Sequence, residues 1–200
     1  AFLSVGLIIL AVKEPERPKE QRRIRMPLHR DELRRLGATY WWVVAVAAVF
    51  TLARFSEAFL ILRAQSIGLP IVLIPIVLVI MSLAYSLSAY PIGVLSDRVN
   101  RLTLLVLGLI LLLVADLALA FASDLVWVGI GVVFWGLHMG FTQGLLATLI
   151  AETAPAELRG TAFGMFNLIT GVAQLVASVV AGTLWDMADP QGTFLAGAAF

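Results

Sequence analysis

The chain has no cysteine in 200 residues. That excludes a disulfide framework, a thiolate metal site and palmitoylation. Histidine is nearly as scarce: His29 and His138 lie far apart in dissimilar surroundings, so no metal site is expected. Charge is missing over long stretches. Leu69 to Tyr90 carries none, and Leu102 to Phe121 carries only Asp116. The chain also lacks an HExxH, a GxSxG, a phosphate loop and any His–carboxylate spacing of a hydrolase, so no enzyme and no bound cofactor are expected. Its glycine-rich patches have helical period and read as packing devices. The basic run has no interleaved aromatics, which argues against a nucleic-acid partner.

What the chain does have is apolar mass. Sixty per cent of its residues are hydrophobic, with a mean hydropathy of +0.97, against roughly 45–50% apolar in soluble domains. This composition predicts an all-α, polytopic transmembrane helical bundle whose first partner is the lipid bilayer. Ala1 to Val12 is apolar but shorter than the about 20 residues a crossing needs. It reads as the end of a truncated helix (1–12), since no basic n-region precedes it and Glu14-Pro15-Glu16 stands where a signal peptide has its cleavage site.

Residues 13–37 form a basic loop, broken by Pro15, Pro18 and Pro27, that holds nine of the fourteen basic residues. Its simplest role is a solvated linker held near anionic lipid. Residues 38–200 form the transmembrane part, with spans predicted at about 39–62, 69–90, 102–121, 125–150 and 158–185 and a truncated last span from 193. Lysine and arginine set the orientation. Basic connections alternate with poor ones: the loop, the hairpin with Arg98 and Arg101, and the turn before Arg159 all belong on the cytoplasmic side.

The hairpin reads Gly93-Val94-Leu95-Ser96-Asp97-Arg98-Val99-Asn100-Arg101. Gly-x-Leu-x-Asp-Arg-x-x-Arg after an apolar span resembles the signature loop of the major facilitator superfamily. A second cue, Pro155-Ala156-Glu157-Leu158-Arg159-Gly160-Thr161-Ala162-Phe163-Gly164, is similar to the turn entering the eleventh helix in bacterial members. Asn100 and Leu102 replace the glycine and basic residue usual in the signature, which suits its second copy.

The resemblance implies a carboxy-terminal half, helices seven to eleven with fragments of six and twelve, built from inverted three-helix repeats. It also implies a missing amino-terminal half as partner and a bacterial cytoplasmic membrane. The expected activity is secondary transport by alternating access, as proton-coupled export of a small organic molecule. Metabolite uptake and a non-transporting receptor or scaffold are the alternatives. The resemblance further implies a conformational gate of Gly93, Asp97, Arg98 and Arg101, together with Glu157 and Arg159. Asp97 would engage a helix amino terminus of the missing half.

Ionisable groups inside spans point to function because each costs about 2.5–3.5 kcal/mol on insertion scales. Arg54 and Glu57 stand at i,i+3 on one helical face, which the family turns toward the central cavity. Glu57 would carry a coupling proton, or Arg54 would bind an anionic group; the plain alternative is a self-neutralising pair. His138 shares a face with Trp135 and Thr142, nearly opposite Gly136, Gly140 and Gly144, so the glycines are expected against a neighbouring helix and the His/Trp face toward the cavity. Gln143 reads as interhelical glue. Along the fifth span Gly160, Gly164, Asn167, Gly171, Gln174 and Gly182 share one sector; packing is expected to explain the glycines, with Asn167 and Gln174 as pathway candidates. Asp116, near a span end, is expected to snorkel.

Overall fold

A backbone in hydrocarbon finds no water to bond, so long uncharged stretches satisfy their N–H and C=O groups internally, as helices. The computed structural model describes residues 30–200, and among these every regular element is helical. The expected helix end at 1–12 and the basic loop up to residue 29 lie outside the described residues. The elements are α1 (Arg30–Arg35), α2 (Ala38–Ala53), α3 (Ala58–Ser66), α4 (Ile74–Ser96), α5 (Arg101–Ala120), α6 (Leu125–Thr153) and α7 (Arg159–Ala199). Short 3-10 turns at Ile71–Leu73 and Ala156–Leu158 precede α4 and α7. Five stretches are long and apolar enough to cross a membrane: Ala38–Ser66, Ile71–Ser96, Arg101–Ala120, Leu125–Thr153 and Ala156–Met187. The chain is thus an integral, multi-pass helical membrane protein.

Local chemistry sets several boundaries. Asn100 Oδ1 accepts the Leu102 N–H at 2.8 Å and starts α5. Asp124 Oδ1 accepts the N–H groups of Val126 and Trp127 at 2.9 and 3.0 Å and starts α6. Each cap satisfies donors a helix start leaves free. Helix α4 continues through Pro91, past the expected end at Tyr90. In α7 the break falls at Asp189, whose φ of 70° is left-handed. Its Oδ1 accepts the Gly192 N–H at 3.0 Å and Pro190 follows directly, so one residue caps the turn and restarts the helix over 190–199.

Helix α6 is the axis of the bundle, packing most extensively against α4 and α5. The approach to α4 depends on glycine: a β-carbon at Gly140 would overlap the Ser88 hydroxyl, and one at Gly136 would overlap the Met81 carbonyl. These two glycines therefore do meet a neighbouring helix. Helix α2 lies against α7, tied by the Tyr40 hydroxyl donating to the Ala162 carbonyl at 2.9 Å. The core runs through Leu60, Leu112, Leu119, Val132, Trp135 and Phe194. Outward faces stay apolar, as Leu83, Leu87, Val172 and Val179 are exposed, which suits a lipid-facing surface.

The small sector of α7 departs from expectation. A β-carbon at Gly160, Gly164, Gly171 or Gly182 would meet nothing within 4 Å, and the same holds for Gly144. Packing among the described residues therefore does not explain these glycines. Their face is open here, and Gly171 lines a cavity.

Candidate functional site

The stretch expected as one helix over 39–62 is two. Helix α2 stops at Ala53, Arg54 is extended (φ −113°, ψ 105°), and α3 starts at Ala58. Ser56 favours the break, its Oγ accepting the Ala58 N–H at 3.3 Å. The Arg54 carbonyl, freed from the helix ladder, accepts the Gln174 side-chain N–H at 3.2 Å. Non-helical backbone at membrane depth is tolerated where it is buried in protein or lines a cavity, as here.

Beside the break lies a cavity of about 380 Å³. Its polar lining includes Arg54, His138, Thr142, Gln143, Asn167 and Gln174, with Phe50 and Phe166 among the apolar residues. No carboxylate lines it, so Arg54 gives it a positive bias. His138 is buried and hydrogen-bonds the Gly108 carbonyl through Nδ1 at 2.8 Å. A carbonyl only accepts, so Nδ1 carries the hydrogen and, in the neutral ring, Nε2 is the acceptor. Thr142 is one turn further along α6 and donates to the His138 carbonyl at 2.9 Å.

The cavity thus gathers five of the seven pathway candidates: Arg54, His138, Thr142, Asn167 and Gln174. Two fall elsewhere. Glu57 is half-buried and absent from the lining, because the break ends the shared helical face with Arg54. The pair makes no salt bridge; among the described residues the ion pair is Arg101–Glu152. Trp135, expected toward the cavity with His138, is fully buried in the core against Phe55. Gln143, expected as interhelical glue, lines the cavity instead.

At the hairpin Asp97 directly follows α4 and is exposed, as is Arg98. Its position at a helix carboxy terminus is electrostatically unfavourable for an aspartate. Arg101 forms a two-point bridge to Glu152 at the end of α6, with Nη2–Oε1 at 2.9 Å. Arg159 donates from Nε to the Ala151 carbonyl at 3.2 Å, and Glu157 sits exposed in the preceding 3-10 turn. A β-carbon at Gly93 would meet nothing within 4 Å.

Three features escaped the sequence. Glu152 lay in a connection and its partner 51 residues away was not visible. Arg63, which follows directly on the span expected to end at residue 62, is buried and bonded to α5. Asp116, expected to snorkel, is 0% exposed with neither oxygen hydrogen-bonded. It lies one turn from the span end in sequence, but its face of α5 meets the segment 190–199 and not water.

Comparison with known proteins places these features. The sequence profile of the Major Facilitator Superfamily matches residues 1–199. An uncharacterized MFS-type transporter of Methanocaldococcus jannaschii is 31% identical over 160 residues, covering 77% of this chain and 40% of that protein. A D-xylose transporter of Levilactobacillus brevis is 34% identical over 93 residues, 46% of this chain and 20% of its own length. A niacin transporter of Acinetobacter baylyi is 33% identical over 88 residues, 44% of this chain and 20% of its own length. The chain thus spans well under half the length of these relatives. No solved structure matches it. A match over nearly every residue, on a bundle of membrane-spanning helices, establishes that the chain belongs to the Major Facilitator Superfamily.

Proposed function

We propose that the complete protein is a secondary active transporter working by alternating access, and that the cavity beside Arg54 is this half's share of the substrate site. The observation that carries this is a polar cavity with one arginine and no carboxylate, set among membrane-spanning helices. Hiding an arginine within a span is costly unless the charge has a task. An acidic group on a small organic molecule fits it, since a guanidinium binds a carboxylate in a two-point geometry. Gln143, Asn167 and the Nε2 of His138 would then read the neutral part of the substrate. The open glycine-lined face of α7 would meet the other half, with the site between them.

Export coupled to proton entry is the direction we favour, with Glu57 beside the break as a candidate carrier. The protein would sit in a bacterial cytoplasmic membrane with its basic connections inside. Names of relatives support transport in general; D-xylose and niacin are said of those proteins alone.

The test is binding and transport by the full-length protein in proteoliposomes, using a panel of organic acids and their neutral amides. Acids are expected to bind and be moved, with Arg54→Gln reducing acid binding about 10- to 100-fold, the range for a lost charge-assisted bond. Equal binding of acids and amides, unchanged in Arg54→Gln, would sink the anion reading. Transport indifferent to a pH gradient, with Glu57→Gln fully active, would sink the proton part.

A further inference from the structure

Asp116 lies outside the Arg54 cavity and has no task in the reading above. It is fully buried in α5, and neither carboxyl oxygen has a hydrogen-bond partner. It borders a second cavity of about 290 Å³ whose other lining is apolar, including Ala53, Leu112, Leu113 and Phe200. Phe50 lines both cavities and so stands between them.

Phe55 lies beside the acid, across Gly197. Its ring packs on Phe59, Trp135 and Phe194 at 5.1, 5.4 and 5.3 Å between centroids. A β-carbon at Gly197 would lie 2.9 Å from Phe55 Cε1 and 3.0 Å from Asp116 Oδ2, so ring edge and carboxyl converge on one glycine of the segment 190–199. Among the described residues the other buried side-chain atom without a partner is Trp135 Nε1, on the ring tilted against Phe55. Arg54 and Phe55 are neighbours in the α2–α3 break, where extended backbone sends successive side chains opposite ways. One lines the first cavity and the next shares the Gly197 contact with the acid.

An ionised carboxylate held without a donor in apolar surroundings costs several kcal/mol. The charged or titratable groups nearby do not offset it. Arg54 and His138 line the other cavity, Glu57 is beyond the break, Arg63 is bonded to carbonyls, and 190–199 carries no titratable side chain. From this arrangement we propose that Asp116 is a proton-exchange site outside the substrate cavity, opened and closed by Phe55 of the α2–α3 break. When the break shifts, Phe55 withdraws and a water reaches the carboxyl. The Asp116 O–H bond breaks, the proton passes to that water, and the carboxylate left behind has a donor. The reverse order reloads it.

The proposal rests on the proton-coupled reading given above, yet its test needs no substrate. Full-length protein in liposomes is followed by infrared absorption in H2O and after transfer to D2O. The carbonyl band of a buried, protonated carboxyl is expected at neutral pH and lost in Asp116→Asn. In Asp116→Glu it persists, shifted. Deuterium exchange of that band is expected on the order of ten-fold faster in Phe55→Ala, because removing the ring removes a local opening step. Identical bands in wild type and Asp116→Asn overturn the site, and exchange unmoved by Phe55→Ala overturns the gate. Failure of the transport reading looks different: export indifferent to a pH gradient, with the Asp116 band and its Phe55 dependence intact.

Discussion

Arg63 of α3 closes the carboxy terminus of α5 by bonding Leu119. Its Nε donates to the Leu119 carbonyl at 2.8 Å, and Nη2 extends the contact to the carbonyls of Ala120 and Ala122 at 3.1 and 3.0 Å. The last carbonyls of a helix have no partner within it and carry the negative end of its dipole, so a guanidinium fork suits them. The arginine also anchors α3, the short piece beyond the break that holds Arg54.

Arg63→Ala is therefore expected to destabilise the bundle by about 3 kcal/mol, since it strands buried carbonyls whose partner was charged. Arg63→Lys should recover only part, because an ammonium cannot reach three carbonyls with the geometry of a planar fork. Thermal unfolding in detergent checks both. A midpoint for Arg63→Ala equal to wild type would show the contact to be incidental.

The helices were legible because the bilayer imposes one rule on every uncharged run, and the uncharged stretch Leu69 to Tyr90 obeys it. The cavity was legible in part for the same reason: a charge inside a span is costly, so Arg54 stood out. What could not be read was which way a residue faces once the helix stops being a helix. No proline or glycine marks the stretch from Thr51 to Ala58, so the break was invisible and Glu57 was given Arg54's face. The distance of Asp116 from a span end suggested water within reach, whereas what meets it is Gly197, brought back by the turn at Asp189. Glycines on α6 and α7 share a spacing, yet Gly140 meets a helix and Gly171 meets a cavity. Periodicity gives a face, and only the fold says what lies opposite it.

That contrast is testable. Gly140→Ala forces a methyl into Ser88 and the Ala89 backbone, whose nitrogen lies 3.2 Å from the β-carbon position. The expected cost is about 1–3 kcal/mol, the usual penalty for overpacking. Gly144→Ala, with nothing within 4 Å, should be neutral or slightly stabilising through better helix propensity. Equal effects of the two in thermal unfolding would contradict the close approach of α4 and α6.

The Arg101–Glu152 bridge joins the start of α5 to the end of α6. Both side chains are partly exposed, so water and salt screen the pair and the unfolding midpoint should hardly move in Glu152→Gln. Its expected role is to keep these helix ends in step while the protein changes state. Arg101→Glu should slow transport by placing like charges together, and the double exchange Arg101→Glu with Glu152→Arg should restore it. Transport assays of the three variants at low and high salt decide. A double variant no better than the single one would remove this role.

Asp97 presents the remaining electrostatic imbalance. It sits at the carboxy terminus of α4, where the helix dipole repels it, and it is exposed with no hydrogen bond from a described residue. A charge held in an unfavourable place earns its keep when a positive partner meets it in one state of the protein. The resemblance of the hairpin to the family signature points to a helix amino terminus of the other half, where about half a positive charge is concentrated. Asp97→Asn keeps the shape and removes the charge, weakening that state alone. The balance of inward- and outward-facing forms should shift by about 0.5–2 kcal/mol, the range for a charge at a helix end. Substrate affinity within each form should hold, because the Arg54 cavity does not include Asp97. These 200 residues contribute no native thiol, so single cysteines placed on the two faces of this half, in a full-length background with any other cysteine replaced, report accessibility. A loss of intrinsic binding with the accessibility pattern intact would place Asp97 in the substrate machinery and end the gate reading.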